Sequence, residues 1–172
     1  AATLDAVDLQ GDVTLLGNLV LSGTVDITSG SSVTVDADAI VTAATIQVDN
    51  TDDFTGTLVV EGELSGATLA NTTKGKLTVN VADGATLREV DAAAAGGGET
   101  LEALNFLGDV TIIGGEYGAL DLTGNTLNVE GSVTASSITA ASISGSSAAT
   151  LDAVDLQGDV TLLGNLVLSG TV

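Results

Sequence analysis

The residues of this chain best equipped for chemistry are its carboxylates. Val35-Asp36-Ala37-Asp38-Ala39 sets Asp36 and Asp38 two positions apart, which is one side of a strand. Val48-Asp49-Asn50-Thr51-Asp52-Asp53-Phe54 gathers Asp49, Asn50, Asp52 and Asp53 in a turn. Oxygen donors of this kind suit calcium, which takes six to eight of them. Calcium is therefore the one cofactor the sequence suggests, at Asp36, Asp38, Asp49, Asn50, Asp52 and Asp53. The spacing matches neither the EF-hand loop nor the Gly-Gly-x-Gly-x-Asp nonapeptide. The plainer reading is a solvated acidic face that keeps the chain soluble and blunts lateral sheet pairing.

Catalysis has little to work with. The chain has no His and no Cys, so the common nucleophile–base pairs are missing. Arg88 sits in Asp83-Gly84-Ala85-Thr86-Leu87-Arg88-Glu89-Val90-Asp91, among three carboxylates. One arginine in that setting reads as a surface ion pair. The expectation is that the protein is not an enzyme. Two smaller features remain. Asn71-Thr72-Thr73 is a formal glycosylation acceptor. Tyr117, the one tyrosine, lies in a Gly-rich insertion and reads as a loop anchor over a core edge.

Charge narrows the partners. The net charge is −20, from 23 acidic and 3 basic residues. Phosphate backbones and anionic membrane surfaces would be repelled, so no nucleic acid and no membrane insertion are expected. No apolar run is long enough to cross a bilayer as a helix. The chain is nonetheless built to fold. Hydrophobic residues make up 44%, mostly Val, Leu, Ile and Ala, where a disordered acidic chain would lack them.

The elements that must position these residues are strands. "DVTLL", "LVLSGTVDI", "SVTVDADAIV", "TLVVEGEL", "KLTVNV" and "TLNVEGSVT" alternate apolar with Thr, Ser or acid. That period of two sends one row inward and the other outward. Gly, Asn, Ser and Asp punctuate the runs as turns. Residues 87–95 read as a loop or a single helical turn. Residues 138–154 read as narrow strands with small residues facing in. The strands are short, Trp and Pro are absent, and aromatics number three. The fold class is thus all-β, a parallel β-solenoid of short rungs, with tandem β-sandwich repeats as the alternative. The expected core is Val13, Leu15, Leu19, Leu21, Val110, Ile112, Leu120 and Leu122.

The repeats define the organisation. Residues 1–25 and 148–172 are identical, at an offset of 147. A diverged copy lies between: "LDAVDLQGDVTLLGN" at 4–18 resembles "LEALNFLGDVTIIGG" at 101–115. One full unit spans 1–147. It holds inner repeats at about 1–50 and 98–147, with 51–97 between them. Residues 148–172 begin the next identical unit. The chain then reads as a window onto a longer array.

Gly-Asp-Val-Thr turns, Leu-x-Leu-Ser/Thr-Gly rungs, acidic charge, no Cys and tandem identity resemble the repeat regions of large microbial cell-surface proteins. These include filamentous-haemagglutinin-like β-solenoid adhesins and S-layer or sheath proteins. The resemblance implies an extracellular or cell-surface location. It implies a structural, non-catalytic unit of a filament, sheath or surface fibre, whose partners are copies of itself joined head to tail. Two alternatives use the same residues. One is an adhesive module recognising glycan or matrix, with calcium. The other is a fibre subunit completed by a donor strand, in which the two copies compete for one slot.

Overall fold

A computed structural model describes residues 1–49, 55–93, 101–152 and 155–169. The described residues form strands and turns with no helix, coiled as a parallel β-solenoid of about seven turns. No helix is long and apolar enough to cross a membrane. The strands in chain order are β1 (Ala2–Leu9), β2 (Asp12–Leu15), β3 (Asn18–Ile27), β4 (Ser32–Val35), β5 (Ile40–Val48), β6 (Thr55–Val60) and β7 (Glu63–Ser65). They continue with β8 (Thr68–Ala70), β9 (Lys76–Val81), β10 (Thr86–Asp91), β11 (Ala103–Phe106), β12 (Val110–Asp152), β13 (Asp155–Gln157) and β14 (Thr161–Ser169). β12 follows the coil round rather than running straight.

Each strand pairs in parallel with the strand one turn away. One sheet runs β1-β3-β5-β7-β10-β12-β13, and the second runs β11-β9-β6-β4-β2. Tandem sandwiches would need antiparallel pairs, whereas the described pairings are parallel. The register makes side-chain columns. Leu19, Val41, Leu64, Leu87 and Ile112 form one column, with successive spacings of 22, 23, 23 and 25 residues. Val35, Val60, Val81 and Phe106 form another in the opposite sheet.

The local cause is the alternation. β9, Lys76-Leu77-Thr78-Val79-Asn80-Val81, buries Leu77, Val79 and Val81 and turns its other three side chains outward. A single turn cannot enclose its own apolar row, so each turn is buried by the next. Burying a Leu, Ile or Val side chain contributes about 1.5–3 kcal/mol, and the columns repeat that gain at every turn. Of the expected core, Leu15, Leu21, Val110, Ile112, Leu120 and Leu122 are buried. Val13 and Leu19, nearer the N-terminal end, are partly buried against the same cluster.

Corners are tight where turns stack. At Gly62 a Cβ would overlap the carbonyl oxygens of Asp36 and Ala39 in the turn below, so only glycine fits. One expectation is overturned. Residues 87–91 are neither loop nor helical turn but lie in β10, because Leu87 slots between Leu64 and Ile112 and is fully buried. The charged Arg88 and Glu89 that follow it disguised a column position. Residues 138–152 are strand, with Ile138, Ala140, Ile143, Ala149 and Leu151 inward.

Candidate functional site at the two ends of the stack

The carboxylates do not converge. Asp36 and Asp38 lie in the turn between β4 and β5, not along a strand. There the Asp38 N–H donates to Asp36 Oδ1 at 3.1 Å, and the Ala39 N–H donates to the Asp36 carbonyl at 2.8 Å. Asp36 thus closes its own turn. Asp49 accepts the Ser29 hydroxyl at 2.8 Å from the neighbouring turn. Asn50, Asp52 and Asp53 lie outside the described residues. Among the described residues, no group of three or more acidic side chains is placed to hold a metal ion.

Arg88 pairs with Glu63, one turn below, rather than with the carboxylates beside it in sequence. Its Nε donates to Glu63 Oε1 at 2.7 Å, and its second contact is 3.4 Å. The carboxylate hydrogen bond and charge raise the guanidinium pKa further. Both side chains remain partly exposed, which limits the pair to a surface interaction. Asn71 is buried, with its Oδ1 accepting the Leu77 N–H at 2.7 Å. That inward orientation does not suit a glycan acceptor. Tyr117 is buried too, and its hydroxyl has no hydrogen-bond partner. Burial, then the nearby Glu89 and Asp91 charges, push its pKa above the usual tyrosine range.

The outward face is ordered by rows of polar side chains. Gln47 donates to Asp26 at 2.8 Å, Asn105 to Asn80 at 2.9 Å, and Thr126 and Ser142 share a hydrogen bond at 2.9 Å. Each links neighbouring turns.

The feature that sets this molecule apart lies at its ends. The two identical segments fold in the same register. Ala2, Thr3, Leu4 and Asp5 pair with Leu19, Val20, Leu21 and Ser22. Ala149, Thr150, Leu151 and Asp152 pair with Leu166, Val167, Leu168 and Ser169. Each pair in the second set is the first shifted by 147. The Ser22 hydroxyl donates to Asp5 Oδ1 at 3.1 Å, and the Ser169 hydroxyl to Asp152 Oδ1 at 2.8 Å. Gly11 and Gly158 share a left-handed turn, with φ of 80° and 81°.

What differs is which side of the segment is covered. In the first copy β2 is covered by β4, with Leu15 against Val35, and its other edge is outermost in the sheet. In the second copy that other edge is the one occupied. Thr161, Leu162, Leu163 and Gly164 pair with Ser142, Ile143, Ser144 and Gly145, and β13 pairs with Ser137, Ile138 and Thr139. Exposure follows. Leu15 is 6% exposed and its counterpart Leu162 is 44%. Leu21 is 1% exposed and Leu168 is 36%. Leu16 and Leu163 are exposed in both copies and face outward.

Residues 137–145 thus form a seat for the segment, and the sequence reading did not single them out. Their alternation was visible in "SSITAASISG" at 136–145. Which stretch they would receive depends on register, which alternation does not carry. The class defined by this geometry is a parallel β-solenoid with segment and seat in one chain. No family model, no curated protein and no solved structure matches it.

Proposed function

We propose that the chain is a structural, non-catalytic repeat unit of an extracellular filament, sheath or surface fibre, elongated by β-strand stacking. The observation that carries this reading is the complementary coverage of the two copies. The first copy has the neighbour that follows it, and the second has the neighbour that precedes it. A unit placed after residue 147 continues the coil without a new kind of contact. Stacking of this type is heterologous and does not close, so it grows along one axis. The acidic composition supports the same reading, because like charge keeps rods apart laterally. The donor-strand alternative needs one copy displaced, whereas both copies keep a place in one stack with the same internal register, which favours the continuous stack.

The test is a chain carrying two consecutive 147-residue units, viewed by electron microscopy. At about 4.8 Å per turn, roughly seven turns add about 34 Å per unit. The expected result is a single unbroken rod longer by about that amount. Two beads separated by a flexible link would overturn the reading.

A further inference from the structure

We propose that Asp83-Gly84 is a latent backbone-isomerisation site, held silent by Gly108-Asp109 of the turn stacked on it, and that it converts to isoaspartate when that turn lifts. The inference concerns one corner of the coil, between β9 and β10, and does not depend on what the coil builds.

Asp83 is the one aspartate of the chain that glycine follows. That pairing has its own chemistry. The main-chain nitrogen of the following residue attacks the aspartyl Cγ. A bond forms between them, a Cγ–O bond breaks, and the amide proton leaves with the hydroxyl as water. The product is a succinimide ring. A water molecule then opens the ring at either carbonyl. One opening restores aspartate; the other leaves isoaspartate, whose main chain runs through the side-chain carbon. One water is lost and one regained, and no oxidant or reductant takes part. Glycine makes the nitrogen accessible because it has no Cβ. By contrast, Asp38 and Asp91 precede alanine, and Asp12 and Asp109 precede β-branched valine.

The structure restrains both reacting atoms. Attack needs the nitrogen and Cγ aligned at about 3–3.5 Å, with the nitrogen free to lose its proton. Asp83 and Gly84 form the exposed tip of the corner, which the Ala85 N–H closes by donating to the Ala82 carbonyl at 3.2 Å. The Gly84 N–H donates to the Asp109 carbonyl at 2.7 Å. Asp83 Oδ1 accepts the Asp109 N–H at 2.8 Å. A single residue of the next turn thus holds the attacking nitrogen and the carboxylate by separate hydrogen bonds. Gly108 completes the hold. A Cβ there would lie 2.5 Å from Asp83 Oδ1 and 2.7 Å from Cγ, so the carboxylate rests against the Gly108 backbone. Asp109 is itself fixed, since its Oδ1 accepts the Thr126 N–H at 2.7 Å. Gly84 has a φ of 79°, so the turn requires the same glycine that makes the pair reactive.

Water reaches this exposed tip; what the pair lacks is freedom to move. Local opening of the stack supplies it. When residues 108–109 lift, both hydrogen bonds are lost together. Isoaspartate adds a carbon to the main chain just before Ala85, which is buried, and Thr86, whose N–H donates to the Gly62 carbonyl at 3.0 Å. The lengthened corner no longer fits its neighbours, so the modification records the opening.

The test ages the full chain in neutral buffer, folded and in concentrated urea, and measures isoaspartate at position 83 by peptide mass spectrometry. Conversion in the folded chain should be at least about tenfold slower than in urea. Gly108→Ala pushes the Asp83 carboxylate off its rest and should speed conversion at least about fivefold while circular dichroism still reports sheet. Equal rates in the folded and unfolded chain overturn the proposal. So does a folded Gly108→Ala variant that converts at the parent's rate. If that variant does not fold, the parent is aged at urea concentrations below its transition, with hydrogen exchange read at the Gly84 amide. Conversion should rise in step with exchange there; conversion that proceeds while the Gly84 amide stays protected overturns the proposal.

Discussion

Leu4 and Leu151 are the same residue of the same 25-residue segment, yet Leu4 is 44% exposed and Leu151 is sealed in the core. Both pair with a leucine one turn on, Leu21 and Leu168. Only the turn beneath distinguishes them. In a solenoid, a side chain's environment is set by its nearest-neighbour turns and by little else.

The two leucines should therefore respond differently to the same substitution. Leu151→Ala removes a buried side chain, at a cost of about 2–5 kcal/mol. Leu4→Ala is expected to stay within about 0.5 kcal/mol, as for other exposed sites. Amide exchange across β14, with urea denaturation alongside, checks this. Equal losses in the two variants would show that the copies are not seated as described.

Stacking at corners makes a second contrast, between glycines. Gly62→Ala drives a methyl into the carbonyls of Asp36 and Ala39 and should cost about 1–3 kcal/mol. Gly118 has nothing within 4 Å of a built Cβ, and its backbone is not left-handed. Gly118→Ala should be neutral or stabilise by about 0.4–1 kcal/mol through the unfolded chain. Thermal melts of the two variants should move apart, and the idea fails if both fall together.

Tyr117 buries a hydroxyl without a partner. Removing an unsatisfied buried polar atom should help, so Tyr117→Phe is expected to raise stability by about 1 kcal/mol. The pH dependence has a definite sign. The folded-state pKa is raised, so the neutral phenol is favoured in the fold. Its contribution is full below the unfolded value of about 10 and declines as pH rises above it. Alkaline melts should show that decline in the parent and not in Tyr117→Phe. Phenolate absorbance in the parent should appear only above the usual tyrosine range or on unfolding. Normal titration of the folded protein near pH 10 would contradict the burial.

The Arg88–Glu63 pair tests whether the isolated cation has any larger role. A double-mutant cycle with Arg88→Gln and Glu63→Gln should give a coupling of about 0.2–1 kcal/mol. Added salt should shrink it. A coupling well above that range, insensitive to salt, would mark Arg88 as more than a surface partner.

Much of the fold is legible from residue order because a solenoid repeats one local rule. Alternation in "KLTVNV" and "TIQV" names the inward row, and turn residues mark the corners. Six of the eight expected core residues are fully inside, and the other two are partly so near the end. The misreadings share a cause. Residues 87–91 carry Arg88 and Glu89, which mask a strand whose burial comes from Leu64 and Ile112, 23 and 25 positions away. Arg88 ignores its sequence neighbours for Glu63, 25 positions back. Asp36 and Asp38 looked like one side of a strand, but a turn bends them onto each other.

The sequence by itself determined that this is an all-β chain of stacked short rungs and that its first 25 residues recur at an offset of 147. Both follow from local alternation and from letter-for-letter identity, which need no coordinates. Only the tertiary structure decided the register. Gly-Asp-Val-Thr occurs at 11–14 and at 108–111, yet Asp12 pairs with Ser32 in the second sheet and Thr111 with Thr86 in the first. Likewise, identical segments receive opposite neighbours at the two ends. Strand pairing is a contact between residues about one turn apart, and no local pattern states which turn lies beneath.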